Sequence, residues 1–311
     1  MIFVARGFVV SLAFFAVVYC PLSCLVALGW WAMKRVRKYA VTSARFLFGL
    51  RIFSFAVSTV IAVFFAFPSF WLMERASLDE DARTFILAAC GLLIVCAGLF
   101  RIARAEARTT RAVTQWLVGT SGIDSEAETP ILSAANGAPP LILVGIRRPR
   151  VMVSDTAATV LSEHELQVAI RHELGHMRSW DNLKKALINA TPFPGMSSLE
   201  TAWREAAELA ADDAAVGSRQ DALDLAAALI KLSRSSKQQW AEPALASGLV
   251  CGSSSISLRV KRLLQWRTAG RRFQRTWPWT LLVLLTMIVG IANSYGATLV
   301  ITHRLTEFFV P

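Results

Sequence analysis

The chain has 311 residues, 54% of them hydrophobic, and a formal net charge of +11; its mean hydropathy is +0.46. That is too apolar for an ordinary soluble enzyme and implies several membrane spans around one water-facing domain. The basic residues sit in short runs beside apolar stretches, where they set membrane orientation, so no direct nucleic-acid partner is expected.

The first apolar run extends from about Phe8 to Met33 and is interrupted by Pro21. A lone Arg6 ahead of it, and its length, argue against a signal peptide. Lys34, Arg35, Arg37, Lys38 and Arg45 follow, which places the amino terminus outside and this loop in the cytoplasm. A second span covers roughly Phe46 to Met73, with Arg51 in its first turns, where a long side chain can reach back to the interface. The loop from Glu74 to Arg83 holds four acids and two arginines and reads as external. A third span, about Thr84 to Phe100, is followed by Arg101, Arg104, Arg108 and Arg111. The next apolar run, from Trp277 to about Thr302, is preceded by Arg267, Arg271, Arg272 and Arg275, and Trp277 and Trp279 fit an aromatic belt.

All four junctions agree. The expected division is three transmembrane helices within residues 1–102, a cytoplasmic domain over 103–276, a fourth transmembrane helix over 277–302 and a short external tail over 303–311. The lipid bilayer is thus the first partner, with both termini outside. Cys20, Cys24, Cys90, Cys96 and Cys251 form no Cys-x-x-Cys pair and read as small apolar residues rather than a disulfide framework.

Within the cytoplasmic segment, 118–140 is rich in Gly, Ser, Ala and Pro and reads as linker with a short strand near Pro130 to Ser133. Leu141 to Val144 and Arg150 to Val153 read as two strands. Ser162 followed by Glu165 is a capping box, so a helix is expected from Ser162 to Arg178, with Leu166, Ala169, Ile170 and Leu174 at helical spacing. Further helices are expected over Ser198 to Val216, Asp221 to Ser233 and Ser253 to Leu264.

The first of these helices carries His172-Glu173-Leu174-Gly175-His176, an His-Glu-x-x-His motif. At 3.6 residues per turn both histidines stand on one face, where one tetrahedral zinc could take both, with Glu173 beside it. Only His164, His172 and His176 lie in the domain, and two of them have ligand spacing. A catalytic zinc wants a third protein ligand from a different element. Glu208 is the candidate, with Asp212 four residues on to accept the second ring N–H of a zinc histidine. Glu205, one turn earlier, is the rival, but no carboxylate follows it at that spacing. Ala206, Ala207, Ala210 and Ala211 would let this helix pack closely on the motif helix. Asp181 reads as a helix-end residue or a support to the ligands. His164 and His303 read as surface and juxtamembrane residues.

His172-Glu173-Leu174-Gly175-His176, Asp181 and Glu208-Leu209-Ala210-Ala211-Asp212 together resemble the membrane gluzincin peptidases. Three spans before the motif and one after it resemble the beta-lactam sensor and antirepressor peptidases of BlaR/MecR type. So do Pro140 to Gly145, Arg148-Pro149 and Leu258 to Leu264. The likeness implies a bacterial inner-membrane protein whose cytoplasmic domain has a zincin-like fold and is a zinc metalloendopeptidase. It implies Zn2+ as cofactor and a cytoplasmic protein, such as a transcriptional repressor, as substrate. Receptors of that type continue after the last span into an external penicillin-binding domain. Only His303 to Pro311 stand there in this chain, so sensing by a domain of its own is not expected.

In the mechanism this implies, zinc acidifies water and polarises the scissile carbonyl, and Glu173 moves the proton to the leaving amine. Arg259 or a backbone N–H would serve the oxyanion. Leu141 to Val144 would offer a sheet edge on which an extended substrate pairs. Two alternatives stay open: an HtpX-like quality-control or processing protease, with membrane segments between the two motifs, and a catalytically silent membrane scaffold.

Overall fold

The structure, a computed structural model, describes residues 2–36, 43–73, 82–117, 131–134, 138–235, 245–249, 256–266 and 294–308. They fall into two compact units: Met1–Lys38 with Leu50–Ala97 and Ala269–Pro311, and Tyr39–Gly49 with Gly98–Thr268.

The apolar runs are helices. Among the described residues three helical stretches are, by length and composition, able to cross a membrane: Phe3–Arg35, Ala44–Met73 and Ala82–Leu117. These correspond to α1 (Ile2–Val36), to α2 (Ala44–Ile61) continued by α3 (Phe67–Met73), and to α4 (Ala82–Leu117). A π-helical turn over Ala62–Ala66 joins α2 to α3. Its cause is Pro68, which has no N–H to donate to the carbonyl four residues back and crowds it. That carbonyl, on Phe64, accepts instead from the Tyr295 hydroxyl at 3.0 Å. Arg51 turns inward and is only 2% exposed, rather than reaching for the interface. Of the expected fourth span, 277–293 lie outside the described residues, and residues 294–308 are helical. The loop 74–81 and most of the linker 118–137 also lie outside them.

The third span does not end as a helix where its apolar run ends. Residues 101–117 hold no Gly or Pro and many good helix formers, so α4 runs on through its basic stretch to Leu117. The 102/103 boundary expected from hydropathy therefore falls inside one continuous helix.

The second unit is built on a four-stranded mixed sheet in the order β1-β3-β2-β4. β1 (Ile131–Ala134) pairs in parallel with β3 (Arg150–Ser154), and β2 (Leu141–Val144) is antiparallel to both β3 and β4 (Ala246–Gly248). β2 is buried along its whole length, as an interior strand of Leu, Ile and Val should be. The expected substrate edge is thus not free. The three residues of β4 occupy it, and such a short Ala-Ser-Gly run carries no strand signature of its own.

Against the sheet pack α5 (Asp155–Val160), the motif helix α6 (Glu163–Arg178) and α7 (Asp181–Ala190); α8 (Ser197–Ala215) and α9 (Arg219–Ser235) pack on α6, and α10 (Ile256–Leu264) packs on α9. α5 and α7 were not evident in the hydrophobic pattern. α6 begins as its capping box dictates: Ser162 Oγ accepts from Glu165 N at 3.4 Å, and Ser162 N donates to Glu165 Oε2 at 2.8 Å. One face of α6 sends Val168 and Ala169 into the main core, with Leu166, Ile170 and Leu174 packed against it. Residues 177–207 hold the ten-residue α7 and part of α8, and no candidate span among the described residues falls there. Replacing Ser162 by Ala removes one half of the box. The expected cost is about 1 kcal/mol of domain stability, read as a lower midpoint in thermal or denaturant unfolding.

Candidate metal centre

α6 and α8 approach closely because small residues meet where they cross. A Cβ built on Gly175 would lie 3.3 Å from both Ala211 Cα and Ala214 Cβ. The approach carries Glu208 on α8 to the two histidines of α6. His172 Nε2 lies 3.5 Å from Glu208 Oε2, and His176 Nε2 lies 3.4 Å from Glu208 Oε1. The two Nε2 atoms are 3.2 Å apart. Donors about 2.0–2.1 Å from a zinc ion at tetrahedral angles stand roughly 3.4 Å from one another, so the three separations suit one such ion. Among the described residues His172, His176 and Glu208 form the group able to hold a metal. The rival Glu205 is not part of it.

Each imidazole is oriented from behind. His176 Nδ1–H donates to Asp181 Oδ2 at 2.8 Å, and His172 Nδ1 faces Asp212 Oδ1 at 3.0 Å. A carboxylate can only accept, so a proton stays on His176 Nδ1, the charge of Asp212 favours one on His172 Nδ1, and each Nε2 faces the shared space. Asp181 reaches His176 because the chain turns sharply between α6 and α7. Trp180 takes a left-handed conformation there, with φ of 57°, which costs a non-glycine residue roughly 1–2 kcal/mol.

Arg259 of α10 holds the carboxylates of α8. Its Nε and Nη2 donate to the two oxygens of Asp212 at 2.9 and 2.7 Å. Its Nη1 donates to Glu208 Oε2 at 2.9 Å and to the Leu249 carbonyl at 3.0 Å. The sequence offers Arg259 for the oxyanion; in the structure its donors are committed to Asp212, Glu208 and Leu249. A second polar group was not foreseen from sequence. Lys185 donates to the Ala246 carbonyl and to Ser247 Oγ, Ser247 donates to Asn182 Oδ1, and Asn182 donates to the carbonyls of Leu143 and Gly145. Only the tertiary fold joins α7 to β4 and β2 in this way.

The electrostatics are those of a site rich in carboxylate. Burial disfavours a charged His176, yet the charge of Glu208 and the hydrogen bond to Asp181 prevail and raise its pKa to about 10. His172 is likewise raised, against its burial, by Asp212 and Glu208. Burial alone would lift Glu208; His176 and Arg259 hold it well below the usual carboxylate range. Asp181 and Asp212 are lowered, against burial, by His176 and His172 respectively. Glu173 differs: its burial raises its pKa, and its two carboxyl oxygens have no hydrogen-bond partner among the described residues. A buried carboxyl without hydrogen-bond partners is costly to the fold. His164 is exposed, and His303 pairs with Glu307 at 3.3 Å.

Residues 84–263, more than half of the chain, match the sequence profile described as BlaR1 peptidase M56. The chain belongs to the BlaR1 peptidase M56 family. The match runs from the third apolar helix through the sheet and both motif helices to α10. Comparison with curated proteins gives no match. The M56 peptidases are metal-dependent, and the grouping of His172, His176 and Glu208 offers a site for that metal.

Two outcomes follow from the geometry. Replacing Arg259 by Met strips Asp212 and Glu208 of their shared cation. It should destabilise the domain by about 3–5 kcal/mol, and zinc affinity should fall roughly 10–100-fold, measured by unfolding and by competition with a chelating dye. The second concerns pH. His176 has a folded pKa raised above its ordinary value of 6.5, so its stabilising contribution in metal-free protein is full below that value and is lost as pH rises towards about 10. A divalent metal ion taken by the Nε2 atoms must displace that proton. Any thermal stabilisation by added zinc should therefore widen as pH rises through the same window.

Proposed function

We propose that this M56 family member is a membrane-bound zinc metalloendopeptidase in which His172, His176 and Glu208 hold the metal and Glu173 is the general base. The observation that carries the reading is the convergence of two Nε2 atoms and one carboxylate, 3.2 to 3.5 Å apart, beside an unpartnered buried Glu173. A zinc ion bound there supplies Lewis acidity, acidifying water and polarising a carbonyl. Glu173 takes the proton of the attacking water on a carboxyl oxygen and returns it to the departing amine. Its raised pKa suits both halves of that task, because a group poised nearer neutrality gives up a proton as readily as it takes one. Asp181 and Asp212 fix the tautomer of their histidines, and Arg259 fixes Asp212 and Glu208.

The candidate site is deeply enclosed: His172 and Glu173 are 0% exposed and His176 is 1% exposed. β4, on β2, is held over this side of the sheet by Lys185 and Asn182, so an extended peptide cannot pair with β2 in this arrangement. A silent scaffold has no use for Glu173, since burying an unpaired carboxyl only costs stability. The HtpX-like layout fits less well, because no candidate span lies between the two motifs.

From the basic residues at the span junctions we take the domain to face the cytoplasm and both termini to lie outside; by the family resemblance we take the protein to be bacterial and the substrate to be a cytoplasmic protein such as a transcriptional repressor, cut in transmembrane signalling. The test compares wild type with Glu173→Gln. Both should hold about one zinc per chain, while the variant loses cleavage by roughly 10²–10⁴-fold. Quantitative proteomics of cells carrying either form should reveal a cytoplasmic protein whose fragments depend on Glu173. Cleavage that survives in the variant refutes the assigned mechanism.

A further inference from the structure

α7 has an exposed apolar face. Trp180 just before it and Leu183 and Leu187 within it are 62%, 38% and 41% exposed. They are spaced so as to share one side of a helix, while Asp181, Asn182, Ala186 and Ile188 are buried. The fold shows what such a face can meet. The compact unit containing α7 also takes in Tyr39–Gly49 and begins again at Gly98. These are the basic ends of two apolar helices: Arg45 stands at the start of α2, and the apolar run of α4 stops at Phe100, just before Arg101.

α7 touches both ends. Gly98 lies so close to the last residue of α7 that a Cβ there would stand 2.1 Å from the Ala190 carbonyl oxygen. Near the middle of α7, Lys184 Nζ lies 5.9 Å from the ring centre of Phe48. A helix of ten residues is about 15 Å long. Its middle and its end thus each meet the basic end of an apolar helix. Basic residues border the apolar face: Arg147 and Arg178 line, with Trp180 and Leu183, a cleft of about 300 Å³ that also reaches His176. Trp at the interface, Leu below it and Arg beside it form the pattern of a helix lying in the headgroup layer.

We infer that α7 is an interfacial helix whose Trp180, Leu183 and Leu187 enter the headgroup region of the bilayer, with Arg147 and Arg178 facing anionic lipid. The inference rests on the membrane-spanning helices and not on the peptidase reading. In consequence the cleft beside His176 opens at the membrane surface.

The experiment uses the full chain, its own cysteines replaced by alanine, in nanodiscs of phosphatidylcholine with phosphatidylglycerol. Nitroxide labels are placed at Leu183→Cys and Leu187→Cys, with circular dichroism verifying the fold. Both labels should collide more often with oxygen than with a water-soluble nickel chelate, at a depth calibrated by labelled lipids. The preference for oxygen should weaken when Arg147 and Arg178 are both replaced by Glu. Because a label can disturb α7, quenching of native emission by lipids brominated near the headgroup is compared between wild type and Trp180→Phe. The variant should lose part of the quenchable emission. Free access of the chelate to both labels, with equal quenching in the two proteins, overturns the inference.

Discussion

Two imidazoles whose Nε2 atoms stand 3.2 Å apart inside a protein constrain everything around them. Both cannot carry a proton towards the other, and neither can turn away, because Asp181 and Asp212 hold their far sides. The carboxylates that crowd the pair create a demand for positive charge. A proton meets that demand in part, as the raised pKa of His176 shows. A divalent ion placed between the three inward-facing donors meets it more completely, without the repulsion of two charged rings. Arg259, from α10, serves the same balance by holding Glu208 and Asp212.

Holding this arrangement requires helices from distant parts of the chain to agree to within fractions of an ångström. α6 and α8 meet through Gly175, Ala211 and Ala214, a contact that any larger side chain would wedge open. α10 supplies the guanidinium, and the left-handed Trp180 bends the chain so that Asp181 returns to His176. The stiffness of the site thus comes from packing and from hydrogen bonds between elements, not from either motif alone.

Membership of the M56 family and the local geometry address different questions. The family match says that the chain is kin to membrane peptidases. The geometry says which atoms of this chain stand where a metal would need them. The matched stretch, residues 84–263, contains the residues that the geometry brings together.

What the residues announced by themselves were features that depend on local order. Helical spacing places His172 and His176 together, Ser162 and Glu165 start their helix, and runs of apolar residues make the membrane helices, because hydrogen bonds and hydration act on neighbours in the chain. Glu208 and Asp212 were legible too, since four residues apart means one helix face. The remainder was decided in three dimensions. That Arg259 grips Asp212, that Arg51 turns inward, that the three residues of β4 close the edge of β2, and that α4 runs past its apolar end cannot be inferred from local pattern. Each is settled by which surfaces come together when buried charges find partners, and that is a property of the packed chain rather than of any segment in it.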